Sequence, residues 1–141
     1  MRTVGWYHRA IIARLKTATA STVQVTDVEP KVDPITKLPP ARYLQVQTGG
    51  GNRPDYRARL SGEAPRDLPI MIMAVGLSPN EALDALEQCD QALIGWDIDP
   101  ADPSATLIIR DDTTPPLIPY RSVENDQRYS ITPTYRLGAD R

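Results

Sequence analysis

Residues 68–95, with the sequence LPIMIMAVGLSPNEALDALEQCDQALIG, contain the two signals that decide the fold. The first is the apolar run 68–76, which predicts a strand covered on both sides in the middle of a sheet. The second is SPNE at 78–81, which combines a serine N-cap, a proline at the first helical position and the glutamate of a capping box. Gly95 then ends the predicted helix near residue 94.

This helix is predicted to have one apolar side and one acidic side. Its apolar stripe consists of Leu83, Leu86, Cys89 or Asp90, Leu93 and Ile94. The acids that fall on or beside the other side are Glu81, Asp84, Glu87 and Asp90. Because no basic residue accompanies them, the helix is expected to present a negatively charged surface.

Periodicity predicts the other elements. A helix over 3–19 has apolar positions at three- and four-residue steps, namely Val4, Tyr7, Ile11, Leu15 and Ala18. Its bases are expected on the solvent side: Arg9, Arg14 and Lys16. Alternating apolar residues predict strands over 22–28, 43–48, 106–109 and 129–137. Pro133 interrupts the last of these and indicates an edge strand or a bulge.

These elements predict one small α+β domain over residues 1–141. We expect a mixed, mostly antiparallel sheet of about 4–5 strands, packed with two main helices at about 3–19 and 79–94. A proline-rich loop covers 30–40, and an arm or long hairpin is expected at about 48–67, beginning at three consecutive glycines.

Composition narrows the class of protein. Hydrophobic residues make up 40% and charged residues 24% of the chain, which is typical of a folded globular domain. No apolar run approaches the roughly 20 residues of a membrane span, and the N-terminus lacks the apolar region of a signal peptide. With Cys89 as its single cysteine, the chain is expected to be made in a reducing cytoplasm and not directed to a membrane.

The net charge of −2 conceals a strong division along the chain. Residues 1–66 contain 11 Lys plus Arg and 5 acids, giving +6, whereas residues 67–109 contain 8 acids and no base, giving −8. Opposite charges on two parts of one subunit could orient its head-to-tail association with further copies. Two independently solvated surfaces would explain the same division.

The sequence predicts no catalytic residue, metal site or cofactor. The only histidine, His8, lacks a nucleophile motif and is expected at the surface, and Cys89 is expected to be a buried small hydrophobe. No G-K-[ST] follows the triglycine at 49–51, which is therefore interpreted as a hinge. The acids Asp97, Asp99 and Asp102 do not fit a calcium loop and are interpreted as an acidic turn.

One part of the chain resembles a known family. The run RLSG at 59–62, the apolar strand ending in VG at 75–76 and a helix beginning SPNEAL at 78–83 follow in the order found in tail terminator (tail completion or minor tail) proteins of long-tailed bacteriophages. The chain resembles that family over most of its length. The proline-rich loop 30–40 and the prolines at 115, 116 and 119 have no counterpart in the resemblance.

The resemblance implies a structural virion protein rather than an enzyme. It implies a ring, typically of six copies, at the head-proximal end of the tail tube, which stops tube polymerisation and joins the tail to the head connector. The implied partners are further copies of the chain, the major tail tube protein and the connector or stopper protein. Contact with DNA passing through the lumen is left open, and the location implied is the virion neck, assembled in the host cytoplasm.

Combining the resemblance with the charge division gives a hypothesis for the subunit interface. The basic candidates all lie in the expected arm: Arg53, Arg57, Arg59 and Arg66. The acidic candidates lie on the second helix: Glu81, Asp84 and Glu87. Arg57 and Arg59 alternate with apolar residues and are expected to face a neighbour's acids from one side of an extended segment.

Three other interpretations remain open at this point. The first is a head-completion or connector-adaptor protein, which would also be small and ring-forming. The second is a cytoplasmic ligand-binding α+β domain. The third is a carboxylate- or metal-dependent enzyme built on Asp97, Asp99 and Asp102.

Overall fold

The computed structural model describes residues 3–19, 22–49, 68–101, 107–110, 119–121 and 128–137, with only the backbone at 120–121. These residues form two helices and seven strands. The helices are α1 (Val4–Ala18) and α2 (Pro79–Leu93). The strands are β1 (Gln24–Thr26), β2 (Tyr43–Thr48), β3 (Leu68–Gly76), β4 (Ile108–Arg110), β5 (Tyr120–Arg121), β6 (Tyr129–Ile131) and β7 (Thr134–Leu137).

The nine-residue strand β3 is the centre of the sheet, as its apolar sequence predicts. It pairs antiparallel with β2 along one edge and with both β6 and β7 along the other. Outside these strands, β1 pairs parallel with β2, β5 pairs with β6, and β4 pairs with β7. The mixed, mostly antiparallel α+β fold is therefore confirmed.

The described residues contain more strands than the 4–5 expected, for two reasons. The short β5 has too few residues to produce an alternating pattern. In addition, Pro133 divides the predicted strand 129–137 into β6 and β7, and its carbonyl accepts a hydrogen bond of 3.2 Å from the Ile72 amide. The proline thus marks a break inside the sheet rather than an edge strand, because both halves remain paired to β3.

The helices lie on one face of the sheet, α1 over β1 and β2, and α2 over β3 and β6. The β3 side chains that point toward them are fully buried: Leu68, Ile70, Ile72 and Ala74. On the other face, Met71 of β3 and Ile109 of β4 are each 44% exposed. The prediction that the apolar run is covered on both sides is therefore wrong at Met71, whereas Val75, on the same face of β3, is buried.

The helix boundaries agree with those predicted, but two parts of the predicted apolar stripes do not. Ala18 is exposed at the end of α1, whereas Tyr7, Ile11 and Leu15 are buried. On α2, Leu83 is 42% and Ile94 45% exposed. The buried side of α2 consists instead of Ala82, Ala85, Leu86, Cys89, Ala92 and Leu93. Leu83 falls outside the buried side because the buried positions run 82, 85, 86, 89, 92 and 93 along the helix.

Neither α1 nor α2 is long and apolar enough to span a bilayer.

The proline-rich loop 30–40 contains no helix or strand, as predicted. Arg128 holds its end in place, donating hydrogen bonds to the carbonyl oxygens of Pro39 (2.7 Å) and Pro40 (3.2 Å). Within the loop, the Asp33 carboxylate accepts a hydrogen bond of 2.8 Å from the Ile35 amide and closes a local turn. The side chain of Ile35 is 89% exposed at this turn.

Candidate subunit interface

The outer side of α1 is basic. The helix begins at the Thr3 N-cap, whose hydroxyl accepts a hydrogen bond of 3.1 Å from the Trp6 amide. Because the buried residues of α1 recur every four residues, the exposed residues Arg9, Ala13 and Lys16 form a stripe at positions i, i+4 and i+7. Arg9 and Lys16 form no ion pair with any residue that the structure describes.

Arg14 was expected on the same side but lies elsewhere. Its Nε donates a hydrogen bond of 3.0 Å to the carbonyl oxygen of Ala92 in α2. Its guanidinium also stacks over the ring of Trp96, 5.3 Å from the ring centroid. Arg14 therefore joins the two helices within the subunit, and the expectation that it is solvated is wrong.

A groove of about 460 Å³ runs between α1 and strand β1 at the edge of the sheet. It is lined by His8, Arg9, Ile12, Ala13, Lys16, Val25, Thr26 and Asp27. Ile12, Ala13 and Val25 supply its apolar lining, which we call its floor. The same lining includes the cations Arg9 and Lys16 and the carboxylate of Asp27. We call this feature the α1 groove.

His8 joins α1 to two strands. Its Nδ1 lies 2.7 Å from the Thr48 hydroxyl of β2, and its Nε2 lies 3.1 Å from Asp27 Oδ2, just after β1. The hydrogen bond from His8 holds the pKa of Asp27 below its usual value, and the charge of Lys16 acts in the same direction. The sequence predicts a surface histidine without revealing these partners, because they depend on strand packing.

Hydroxyl, imidazole and carboxylate are the components of a hydrolytic triad, so the placement of Thr48 matters. Thr48 pairs with Ile70 and lies on the helix-covered face of the sheet. It does not line the α1 groove, whereas His8 and Asp27 do. The imidazole and the carboxylate therefore line the groove, and the three side chains together join α1 to β1 and β2.

Glu81 acts at the start of α2, where the serine half of the predicted capping box forms and the glutamate half contacts the residue before the N-cap. Ser78 Oγ accepts a hydrogen bond of 3.2 Å from the Glu81 amide, and the Glu81 carboxylate accepts one of 2.7 Å from the Leu77 amide. Arg42 forms an ion pair with the same carboxylate. The Leu77 hydrogen bond, followed by the one from Arg42, lowers the pKa of Glu81. Of the three predicted acidic candidates, Glu81 is therefore already paired within its own subunit.

The other two acidic candidates are exposed on the outer side of α2. Asp84 and Glu87 are one turn apart, and Gln91 lies one further turn along, with its amide 3.5 Å from a Glu87 carboxylate oxygen. Leu83 is adjacent to both acids and, as noted, is also exposed. We call Leu83, Asp84 and Glu87 the α2 ridge.

Asp90 does not belong to this acidic surface, although the sequence places it on or beside it. Its Oδ1 accepts a hydrogen bond of 2.6 Å from the Tyr135 hydroxyl, and its Oδ2 lies 2.8 Å from Arg110 Nη1. Asp90 therefore connects α2 with strands β4 and β7. Burial, followed by the hydrogen bond to Asp90, raises the pKa of Tyr135, which keeps that hydroxyl protonated as a donor.

The basic candidates Arg53, Arg57, Arg59 and Arg66 lie outside the described residues, as does the arm 50–67, so their pairing with a neighbour's acids remains a prediction. In the described ranges, no group of three or more His, Cys, Asp or Glu residues could hold a metal ion. Asp97 is exposed and Asp99 buried, while Asp102 lies outside the described residues. Burial raises the pKa of the Cys89 thiol to about 12.

Comparison with known proteins finds no matching family model and no similar curated sequence.

Proposed function

We propose that the chain is a structural subunit of a bacteriophage virion that forms a ring of six copies at the head-proximal end of the tail tube. One observation carries the proposal: a single subunit presents Arg9 and Lys16 on one helix and Asp84 and Glu87 on the other. A ring requires heterologous contacts, in which two different patches of one subunit meet. Complementary charges on two helices supply such a pair of patches.

The position in the virion is proposed from the resemblance to tail terminators. The sequence features at 57–95 occur in that family's order, and the α+β fold is of the kind that the resemblance implies. In this position the ring ends polymerisation of the tail tube and joins the tail to the connector of the head. The partners are then further copies of the chain, the tube protein and the connector protein.

The proline-rich loop is a candidate contact for these axial partners. Its exposed apolar side chains include Val32 and Ile35, and Val28 precedes it with 64% of its surface exposed. Exposed apolar side chains close together are common where proteins bind one another. Since Arg128 fixes one end of the loop, this surface is held against the body of the subunit.

Two other functions would use the same features differently. A head-completion or connector-adaptor protein would form a similar ring on the head side of the joint. A ligand-binding domain would use the α1 groove for a small molecule and would need no assembly. The opposed charges on α1 and α2 favour the ring-forming proteins.

Deleting the gene from the phage that encodes it and imaging the lysate by electron microscopy tests the proposal. Overlong, unjoined tails beside filled heads are expected, because loss of the terminator lets tube polymerisation continue. Tails of normal length beside leaking heads would assign the protein to the head side. Intact infectious particles would contradict a virion role altogether.

A further inference from the structure

We propose that the α1 groove of each subunit receives the α2 ridge of the next copy in the ring. This inference rests on the proposed function and specifies which surfaces of the subunit meet. The groove combines an apolar floor with Arg9 and Lys16, whose two positive charges exceed the single negative charge of Asp27, and the ridge combines an exposed leucine with two acids. The occupant is thus a second copy of this chain.

The groove matches the ridge in charge. Arg9 and Lys16 are separated by two helical turns, about 10 Å along the axis. Asp84 and Glu87 are one turn apart on the ridge and carry the opposite sign. Arginine and lysine side chains are long enough to reach toward acids placed between them.

The groove also matches the ridge in polarity and size. Ala13, midway between the two basic residues, is small and exposed, so the floor is accessible between their side chains. Leu83, 42% exposed beside the two acids, supplies an apolar side chain for that floor. Burying its exposed part against Ile12 and Ala13 would add a contribution of about the same size as one exposed ion pair, which is worth about 0.2–1 kcal/mol.

The two surfaces lie at different places on the subunit. The groove lies beside β1, at one edge of the sheet, whereas α2 lies over β3 and β6. Leu83 lies two helical turns before Asp90, at the border of the side that contacts β4 and β7, and on the opposite side of α2 from Ala92, which Arg14 of α1 contacts. A contact between the two surfaces of one subunit is therefore ruled out by placement, and a contact between copies is head-to-tail.

Crosslinking tests this contact directly. Two variants, Ala13→Cys and Leu83→Cys, are mixed and treated with a short bifunctional maleimide at a concentration at which native mass spectrometry shows assembly. Buried Cys89, with its raised pKa, is not expected to react. We expect covalent dimers from the mixture, little product from either variant alone, and a ladder up to the full ring from the double variant.

Gln47→Cys replaces Leu83→Cys in the matched control, because Gln47 is exposed on the opposite face of the sheet. If the protein assembled but the Ala13 and Leu83 variants crosslinked no better than the Ala13 and Gln47 pair, the inference would be overturned. The proposed ring would not be affected by that result. Equally efficient crosslinking of either variant with itself would also overturn it. A monomer at every concentration would overturn both the inference and the proposed function.

Charge reversal gives an independent test. Arg9→Glu with Lys16→Glu reverses the groove, and Asp84→Lys with Glu87→Lys reverses the ridge. Each pair is expected to raise the concentration at half-assembly about tenfold or more, since attraction becomes repulsion. Mixing the two variants should restore assembly, because alternating copies in a ring with an even number of subunits then present matched charges at every contact.

Lys31→Glu with Lys37→Glu makes the same change in net charge on the proline-rich loop and is the control. It is expected to leave assembly unchanged. If this control lost assembly to the same extent, the effect of the groove variant would be explained by net charge alone, and the inference would be overturned. The inference would also be overturned if the mixture of the two variants did not regain assembly. It would be overturned equally if reversing Arg57 and Arg59 abolished assembly while reversing the groove did not.

Discussion

The Tyr135 hydroxyl donates a hydrogen bond of 2.6 Å to Asp90 Oδ1, joining the sheet to the second helix. Tyr135 is fully buried on β7, and Asp90 also pairs with Arg110 of β4. This network holds α2 in position while Asp84 and Glu87 remain on its outer side. The surface proposed to contact a neighbour therefore depends on an interaction on the inner side of the same helix.

Replacing Tyr135 with Phe tests the strength of this connection. Hydrogen bonds to charged groups contribute about 1.5–3 kcal/mol, so Tyr135→Phe is expected to lower the free energy of unfolding by about that amount. Chemical denaturation at fixed protein concentration measures the change. Tyr129→Phe is the matched control and is expected to change it by less than about 0.5 kcal/mol, because Tyr129 is only half-buried. Equal effects of the two substitutions would show that the hydrogen bond contributes little.

The cap formed by Glu81 predicts a pH dependence of stability. The pKa of Glu81 is lowered in the folded state from an ordinary value of 4.5. Because the pKa is lower in the folded state, the ionised carboxylate stabilises the fold fully above the ordinary pKa. This stabilisation is lost as the pH falls through the lowered pKa of the folded state. Glu81→Gln is therefore expected to lower the free energy of unfolding at neutral pH and to flatten its decline below pH 4.5.

Denaturation at a series of pH values between neutral and acid measures this decline. Glu87→Gln is the matched control, since it removes the same charge from the exposed side of the same helix. If the Glu81→Gln and Glu87→Gln curves were parallel throughout, the contact of Glu81 with Leu77 and Arg42 would not contribute to stability.

Alanine is expected to have opposite effects on stability at Gly76, which lies at the junction of β3 and α2, and at Gly5 in α1. A Cβ atom at Gly76 would lie 2.6 Å from the Cβ of Glu81 and 3.0 Å from the Ala82 amide nitrogen. Gly76→Ala is therefore expected to destabilise the protein by about 1–3 kcal/mol. A Cβ atom at Gly5 in α1 would meet the flexible Arg9 side chain at 3.4 Å and Thr3 Oγ1 at 4.0 Å, so Gly5→Ala should stabilise by about 0.5–1 kcal/mol. Thermal or chemical unfolding distinguishes the signs, and a neutral Gly76→Ala would show that the junction can open.

The start of α2 could be predicted from sequence in detail because its determinants are local. The serine cap, the proline and the glutamate lie within four residues, and each forms its contact whatever the rest of the chain does. Gly95, which adopts a φ of 78°, is likewise determined by the need of the helix end for a left-handed residue. The central position of β3 followed from its composition alone.

The roles of Asp90 and His8 could not be predicted in the same way. Asp90 is turned inward by Tyr135 and Arg110, which are 45 and 20 residues away along the chain. His8 finds its two partners at the ends of β1 and β2, so its role depends on strand pairing. Helical periodicity does not decide whether a residue at the border between the buried and the exposed side points inward or outward. For Asp90 and His8, the orientation depends on these distant partners.

The exposure of Leu83 is a further case, and it changes the functional argument. Periodicity places a leucine in the buried stripe of α2, but alanines occupy that stripe and the leucine faces outward. The sequence therefore predicted a purely charged outer surface, whereas the structure presents acids beside an apolar side chain. Association through such a mixed surface is stronger than through ion pairs alone.

The arm arginines give the last prediction, which comes from the sequence. Arg57→Glu with Arg59→Glu is expected to weaken assembly and to make it less sensitive to salt, because attraction to the neighbour's acids is removed. The assembled fraction is measured by sedimentation at low and at high salt. Each exposed pair contributes only about 0.2–1 kcal/mol, so the effect is expected to be smaller than that of reversing Arg9 and Lys16 with the groove they border.

Comparing the reversal of Arg57 and Arg59 with that of Arg9 and Lys16 distinguishes a contact made by the arm from one made by α1. Both remove two positive charges and add two negative ones, so a difference between them reflects position rather than net charge. Unchanged assembly of the arm variant at low salt would contradict a role for Arg57 and Arg59. Arg9 and Lys16 would then remain as the proposed basic partners of Asp84 and Glu87, since they combine opposite charge with an adjacent apolar floor.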